Sequence, residues 1–132
     1  MEHKRLEKTS AFVDNPALKG REAKFTTVHV SVKALLWEWK SSLFAHEWLN
    51  KDGTLKTDRD LSEGNRTRKE SVEILIASGA DLPQPVLGIG IMDNIEIGAG
   101  KDIIAACAAN GILTIPMHIP RNEADAFKVI LG

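Results

Sequence analysis

The chain has 132 residues, 43% hydrophobic and 27% charged, and a formal net charge of −1 at pH 7. That length suits one domain with a real core, and the near-zero charge removes the polybasic or polyacidic character that draws a protein in bulk to nucleic acid or membrane. A single cysteine excludes an internal disulfide and fits a reducing cytoplasm, and no apolar run approaches the roughly 20 residues a membrane helix needs.

Residues 1–24 read as a polar, weakly patterned arm, and 25–132 as a single domain. The start, Met1 to Lys8, carries charges with no apolar core behind them, so nothing in it suggests export. Asn15-Pro16 and Lys19-Gly20 mark turns. Phe12, Val13 and Leu18 are the side chains that would pin the arm; a mobile arm is the alternative. Phe25 to Val32 alternates, which predicts a half-buried strand with Val28, Val30 and Val32 on one face and Thr27, His29 and Ser31 on the other. His29 then reads as a solvated strand histidine.

Lys33 to Asn50 carries the strongest helical pattern, closed by Lys51-Asp52-Gly53. At about 100° per residue, Leu35, Leu36, Trp39 and Leu43 form one apolar stripe, and Trp37, Phe44 and Trp48 form a second on the nearly opposite side. One stripe packs on the sheet. The other must be covered by the same chain, by a second copy or by a foreign partner, since large exposed aromatic patches mark interfaces.

Lys51 to about Asn65 is a charged linker with Ser62 as a candidate cap. Arg66 to Ser78 predicts a second helix, with Val72, Leu75, Ile76 and Gly79 toward the core. Arg59, Arg66, Arg68 and Lys69 cluster at its start. Such a cluster suits phosphates; a solvated face partly paired with Glu63, Glu70 and Glu73 is the plainer reading.

The longest apolar region follows. Val86 to Met92 reads as a strand, Asp93-Asn94 as a two-residue turn, and Ile95 to Ile97 as the returning strand. That register sets Met92 opposite Ile95, Ile91 opposite Glu96 and Gly90 opposite Ile97. Gly88, Gly90, Met92, Ile95 and Ile97 then share one face, and Leu87, Ile89, Ile91 and Glu96 the other. The glycines leave room for another backbone or a ligand. Glu96 is either a carboxylate reaching solvent at the rim or a half-buried acid with a raised pKa.

Lys101 to Asn110 predicts a helix with Ile103, Ile104, Cys107 and Ala108 on one stripe, and Cys107 packing as a small apolar group. Ile112 to Ile119 predicts a strand, Leu113, Ile115, Met117 and Ile119 on one face and Thr114, Pro116 and His118 on the other. Pro116 lacks a donor and argues for an edge position. Asn122 caps a last helix reaching Leu131, with Ala126, Phe127, Ile130 and Leu131 inward. The elements predict an α+β fold: a small mixed sheet from segments 25–32, 86–92, 95–97 and 112–119, centred on the glycine-rich hairpin and covered by about four helices.

Several chemistries fail on inspection. Gly98-Ala99-Gly100-Lys101-Asp102 is no phosphate loop, because Ile95 stands where the first glycine belongs and Asp102 where the metal-binding hydroxyl belongs. A dinucleotide fingerprint fails at Asp93. Backbone N–H groups at the start of the 101–110 helix, with Lys101, still offer an anion a place. His29, His46 and His118 lack metal-ligand spacing, and there is no Gly-x-Ser-x-Gly turn. An acid–base site from Glu96, Asp93, Lys101 and His118 is geometrically possible, but no spacing selects it. No metal or cofactor is expected.

Leu82-Pro-Gln-Pro-Val-Leu-Gly-Ile-Gly-Ile-Met-Asp-Asn-Ile-Glu-Ile-Gly98 and Ile115-Pro-Met-His-Ile-Pro120 resemble segments of uncharacterised bacterial proteins called plasmid-related, which accompany integrative conjugative elements. The resemblance covers roughly the last 50 residues and carries no catalytic motif. It implies a bacterial, cytoplasmic, mobile-element setting and an accessory or regulatory role.

The expectation is therefore a non-enzymatic accessory protein acting through protein contact as a homodimer, with Trp37, Phe44 and Trp48 as its interface; replacing Trp37 and Trp48 by alanine should leave a folded monomer. The alternative is nucleic-acid binding through Arg59, Arg66, Arg68 and Lys69. A second alternative is a small-ligand or enzymatic site beside Gly88, Gly90, Glu96 and Lys101.

Overall fold

A computed structural model describes residues 11–131; residues 1–10 of the expected arm, and Gly132, lie outside the described residues. In chain order the elements are β1 (Phe12–Val13), β2 (Phe25–Ser31), α1 (Val32–Trp39), α2 (Glu63–Ser78), β3 (Leu82–Pro83), β4 (Val86–Ile89), β5 (Ile95–Ala99), α3 (Lys101–Ala109), β6 (Thr114–Pro120) and α4 (Ala124–Leu131), with short 3-10 turns between some of them. The architecture is the expected α+β one. A mixed four-stranded sheet runs β2-β6-β4-β5, and β1 and β3 form a small parallel pair beside it.

β2 and β6 form a regular antiparallel ladder from Phe25 opposite Pro120 to Ser31 opposite Thr114. Alternation sends Val30, Ile115, Met117 and Ile119 into the core. The expectation of an edge position for the strand carrying Pro116 is corrected, since β6 lies between β2 and β4. The hydrogen-bond pattern shows why proline is tolerated. His118 N–H donates to the Pro85 carbonyl, toward β4. Pro116 and Pro120, two residues to either side, would aim their missing donors the same way. The two prolines therefore shorten the β4–β6 ladder, whose register is the single pair Val86 and His118, and leave the β2 ladder intact.

Leu35 and Trp39 of α1, Val72 of α2, Ile103, Ile104 and Cys107 of α3, and Phe127 of α4 close the inner face. Burial pushes the Cys107 thiol up to about 12, so it packs as an apolar group. The outer face is partly covered by residues 11–24. β1 pairs with β3, Leu18 is buried, and the Asn15 backbone N–H donates to His118 Nε2 at 3.1 Å.

The long helix over 33–50 does not form. α1 stops at Trp39, Phe44 takes a left-handed φ of 69°, and a 3-10 turn spans Ala45–Glu47. Ser41 and Ser42 are indifferent helix formers. An unbroken helix there would run about 27 Å, past the roughly 23 Å of the strand it packs on. Breaking it turns Ala45, Trp48 and Leu49 into the core. The two-stripe geometry goes with it: Trp48 of the expected outer stripe is 3% exposed, and Leu43 of the expected inner stripe is 73% exposed.

α2 starts three residues earlier than its apolar pattern. Ser62 Oγ accepts the Asn65 N–H at 3.2 Å, and Gly79 closes the helix at φ 73°. Val72 faces inward, but the expected inward Leu75 is 40% exposed, and Lys69, one turn before Val72, is buried instead.

The hairpin register also differs from the two-residue-turn reading. Ile89 pairs with Ile95, Gly88 with Glu96 and Leu87 with Ile97. The turn takes in Gly90 to Asn94, closed by Gly90 N–H to the Asn94 carbonyl at 2.7 Å and Asp93 N–H to the Gly90 carbonyl at 2.9 Å. Asp93 adopts φ 60°, which aspartate tolerates better than most residues. An odd shift in register exchanges faces. Leu87, Ile95 and Ile97 are buried together, and Glu96 lies on the glycine face rather than opposite it.

Candidate functional site: two apolar turns held by Glu96

The wider hairpin turn lifts Ile91 and Met92 to its apex, 98% and 81% exposed. The broken helix leaves Leu43 and Phe44 on the turn that follows α1, 73% and 54% exposed. Glu96 ties the two turns together. Its Oε1 accepts the Ser42 hydroxyl at 2.7 Å, and its Oε2 accepts Asn94 Nδ2 at 2.6 Å. Gly90 makes room for this: a Cβ there would lie 2.8 Å from Glu96 Cγ. Turn tips are ordinarily built from small polar residues. Two turns joined through Glu96 that between them expose four large apolar side chains are suited to contact. Phe44 adds strain, because a bulky residue at positive φ costs on the order of 1–3 kcal/mol, a cost found mostly where it serves a site.

The other aromatic residues divide. Trp37 is 58% exposed, its ring 4.0 Å from the Lys40 ammonium. It lines a largely apolar cavity of about 640 Å³ with Leu36, Leu55, Ala108 and Ile130. Trp48 belongs to the interior and cannot serve as a contact residue.

The basic cluster is dispersed. Lys69 is 4% exposed, with Nζ 2.7 Å from Asp58 Oδ1 and 3.2 Å from Glu73 Oε2. Burial acts to lower its ammonium, but the bonds to Asp58 and Glu73 outweigh it and hold the group above its ordinary value. Its charge is matched by carboxylates rather than offered to a phosphate. Arg66 Nη1 donates to the Asp58 carbonyl and Arg68 Nη1 to Asn65 Oδ1. Arg59 is exposed on the preceding loop.

The four residues of the expected ligand site fall into separate places. Gly88 and Glu96 line a hollow of about 310 Å³ with Arg21 and Phe25, and a Cβ on Gly88 would meet nothing. Gly90 is filled by Glu96. Lys101 lies in a different cavity, about 330 Å³, with Arg68, Asn65, Glu47 and Asp102 at the start of α3. Two cations and two carboxylates there cancel, so neither sign of ligand is selected. Glu96 and Lys101 line different cavities, Asp93 lies in the hairpin turn and His118 lies under the arm, so the expected acid–base set is not brought together in one cavity.

Comparison with protein-family models, curated proteins and solved structures finds no match for this chain. The site rests on geometry alone.

Sequence reading missed Leu43, Ile91, Met92 and the Ser42–Glu96–Asn94 bonds. One signal was present: Glu96 is the lone charge between two isoleucines in the returning strand, and a carboxylate there needs partners.

Proposed function

We propose that the chain is a non-enzymatic accessory or regulatory protein that acts through protein contact and pairs with a second copy of itself through Leu43, Phe44, Ile91 and Met92. The observation that carries this reading is the exposure of those four side chains on turns fixed to one another by Glu96. The net charge of −1 sets no long-range repulsion between two copies. Burying each such side chain yields about 1.5–3 kcal/mol, against an association cost of about 4–15 kcal/mol. The contact is therefore weak enough for dilution to undo. The segmental resemblance to plasmid-related proteins supports a bacterial mobile-element setting for the same role.

Light scattering over roughly a hundredfold range of concentration tests the pairing. Wild type is expected to pass from monomer to dimer, and Ile91→Ser with Met92→Ser to stay a folded monomer. A wild type that is monomeric throughout contradicts self-pairing.

A further inference from the structure

We propose that His118 is a proton-operated latch: its neutral imidazole holds residues 11–24 on the outer face of the sheet, and protonation loosens them. The inference is independent of the pairing above.

His118 projects from β6 on the face away from the core, yet it is only 5% exposed. The arm is a main part of its cover. The Asn15 N–H donates to Nε2 at 3.1 Å, which requires that nitrogen to carry a lone pair and places the neutral ring's proton on Nδ1. The Asn15 side chain binds twice more. Its Nδ2 donates to the Gln84 carbonyl at 2.8 Å, and its Oδ1 accepts the Ala17 N–H at 2.9 Å. Gln84 Oε1 in turn accepts the Thr27 hydroxyl at 3.1 Å. One asparagine thus joins the imidazole, the β3–β4 link and the first turn of the arm.

A proton on Nε2 would set two N–H donors face to face, and the Asn15 bond is lost. The nearest new partner is Asp14, whose Oδ1 lies 4.0 Å from Nε2 and whose side chain is 75% exposed. Asp14 belongs to the arm itself, so reaching it moves the arm. The other charged or titratable groups on the elements around this face are Lys19, Arg21, Glu22 and Lys24 on the arm, His29 on β2 and Glu96 on β5; Lys19, Glu22 and Lys24 are exposed, with Glu22 Oε1 accepting the Gly20 N–H. Arg21 is turned to the Ala17 carbonyl and the Phe25 ring, and Glu96 to Ser42 and Asn94. Asp14 is the charge that acts on His118. Burial disfavours the imidazolium, Asp14 favours it, and burial prevails, holding His118 below its ordinary value.

The sign follows. With the arm open, His118 regains a pKa near 6.5. Opening is therefore insensitive to pH above about 6.5 and rises by up to tenfold per unit below it, until the closed form also titrates.

Amide hydrogen exchange, corrected for intrinsic rates, tests this between about pH 7.5 and about pH 5. The N–H groups of Asn15, Leu18 and Gln84 are expected to lose about tenfold in protection while Val30 and Ile104 keep theirs. His118→Gln keeps an acceptor without titrating and is expected to abolish the pH dependence. Asp14→Asn is expected to leave the onset where it is and to carry the loss of protection further down in pH, because the closed form then titrates later. Arm protection that does not change with pH, or that falls together with the core, overturns the latch, and this comparison within the wild type decides even if the glutamine variant does not fold.

Discussion

Ser42 donates its hydroxyl to Glu96 Oε1 at 2.7 Å across 54 positions of sequence, and this bond joins the turn after α1 to the hairpin. The second carboxylate oxygen is held by Asn94 at 2.6 Å. One side chain therefore sets where both apolar turns sit.

Glu96→Ala should cost about 1–3 kcal/mol, because the nearly buried Ser42 hydroxyl loses its charged acceptor. Gly90→Ala should also destabilise, since its methyl would meet Glu96 Cγ at 2.8 Å. Gly90 is not at positive φ, so the penalty is crowding, by Glu96 and by Asn94 Oδ1 at 3.0 Å. In the double variant the Glu96 part of that penalty should vanish. Urea unfolding of the four proteins would give a coupling of about 0.5–3 kcal/mol; strict additivity would mean the two groups do not meet.

The tryptophans should separate by environment. Trp39 and Trp48 are buried at 0% and 3% exposure, and Trp37 is 58% exposed. Acrylamide should quench one component of the fluorescence, and Trp37→Phe should remove it. Trp48→Ala should cost about 3–5 kcal/mol, a large share of a typical stability of about 5–15 kcal/mol. The Trp37→Ala, Trp48→Ala pair should therefore unfold or nearly so, where the helical-stripe reading expects a folded monomer.

Much of the fold is legible in the sequence because local and tertiary preferences agree. The 25–31 strand alternates, Ser62 and Gly79 punctuate α2, and the alanine-rich 101–109 segment has one apolar stripe. The break after Trp39 is not legible, since Ala45, Trp48 and Leu49 leave helical phase for the sake of burial, and periodicity assumes phase is kept. The hairpin register is missed for a related reason. Asp93-Asn94 fits a two-residue turn locally, but the wider turn puts Leu87, Ile95 and Ile97 on the buried face and leaves Glu96 facing Ser42 and Asn94. The candidate site is made of these two departures, so it is the least legible part of the chain.

Lys69 gives a third test. Lys69→Ala should destabilise by about 1–3 kcal/mol, since it removes a buried stem and two charged hydrogen bonds. Lys69→Met keeps the stem and lets Asp58, 52% exposed, return to water, so it should cost much less. Thermal unfolding of the two variants checks the order. Equal losses would show that the ion pairs, not the stem, govern the site.

The central claim is that the hairpin apex meets a second copy. Methyl-labelled methionine reports on it directly, because Met92 is 81% exposed at that apex and Met117 is buried at 0%. On concentrating the wild type, the Met92 methyl resonance should shift and broaden while Met117 stays fixed, and Phe44→Ser should abolish the shift. A Met92 resonance that does not move from the most dilute to the most concentrated sample would contradict the account.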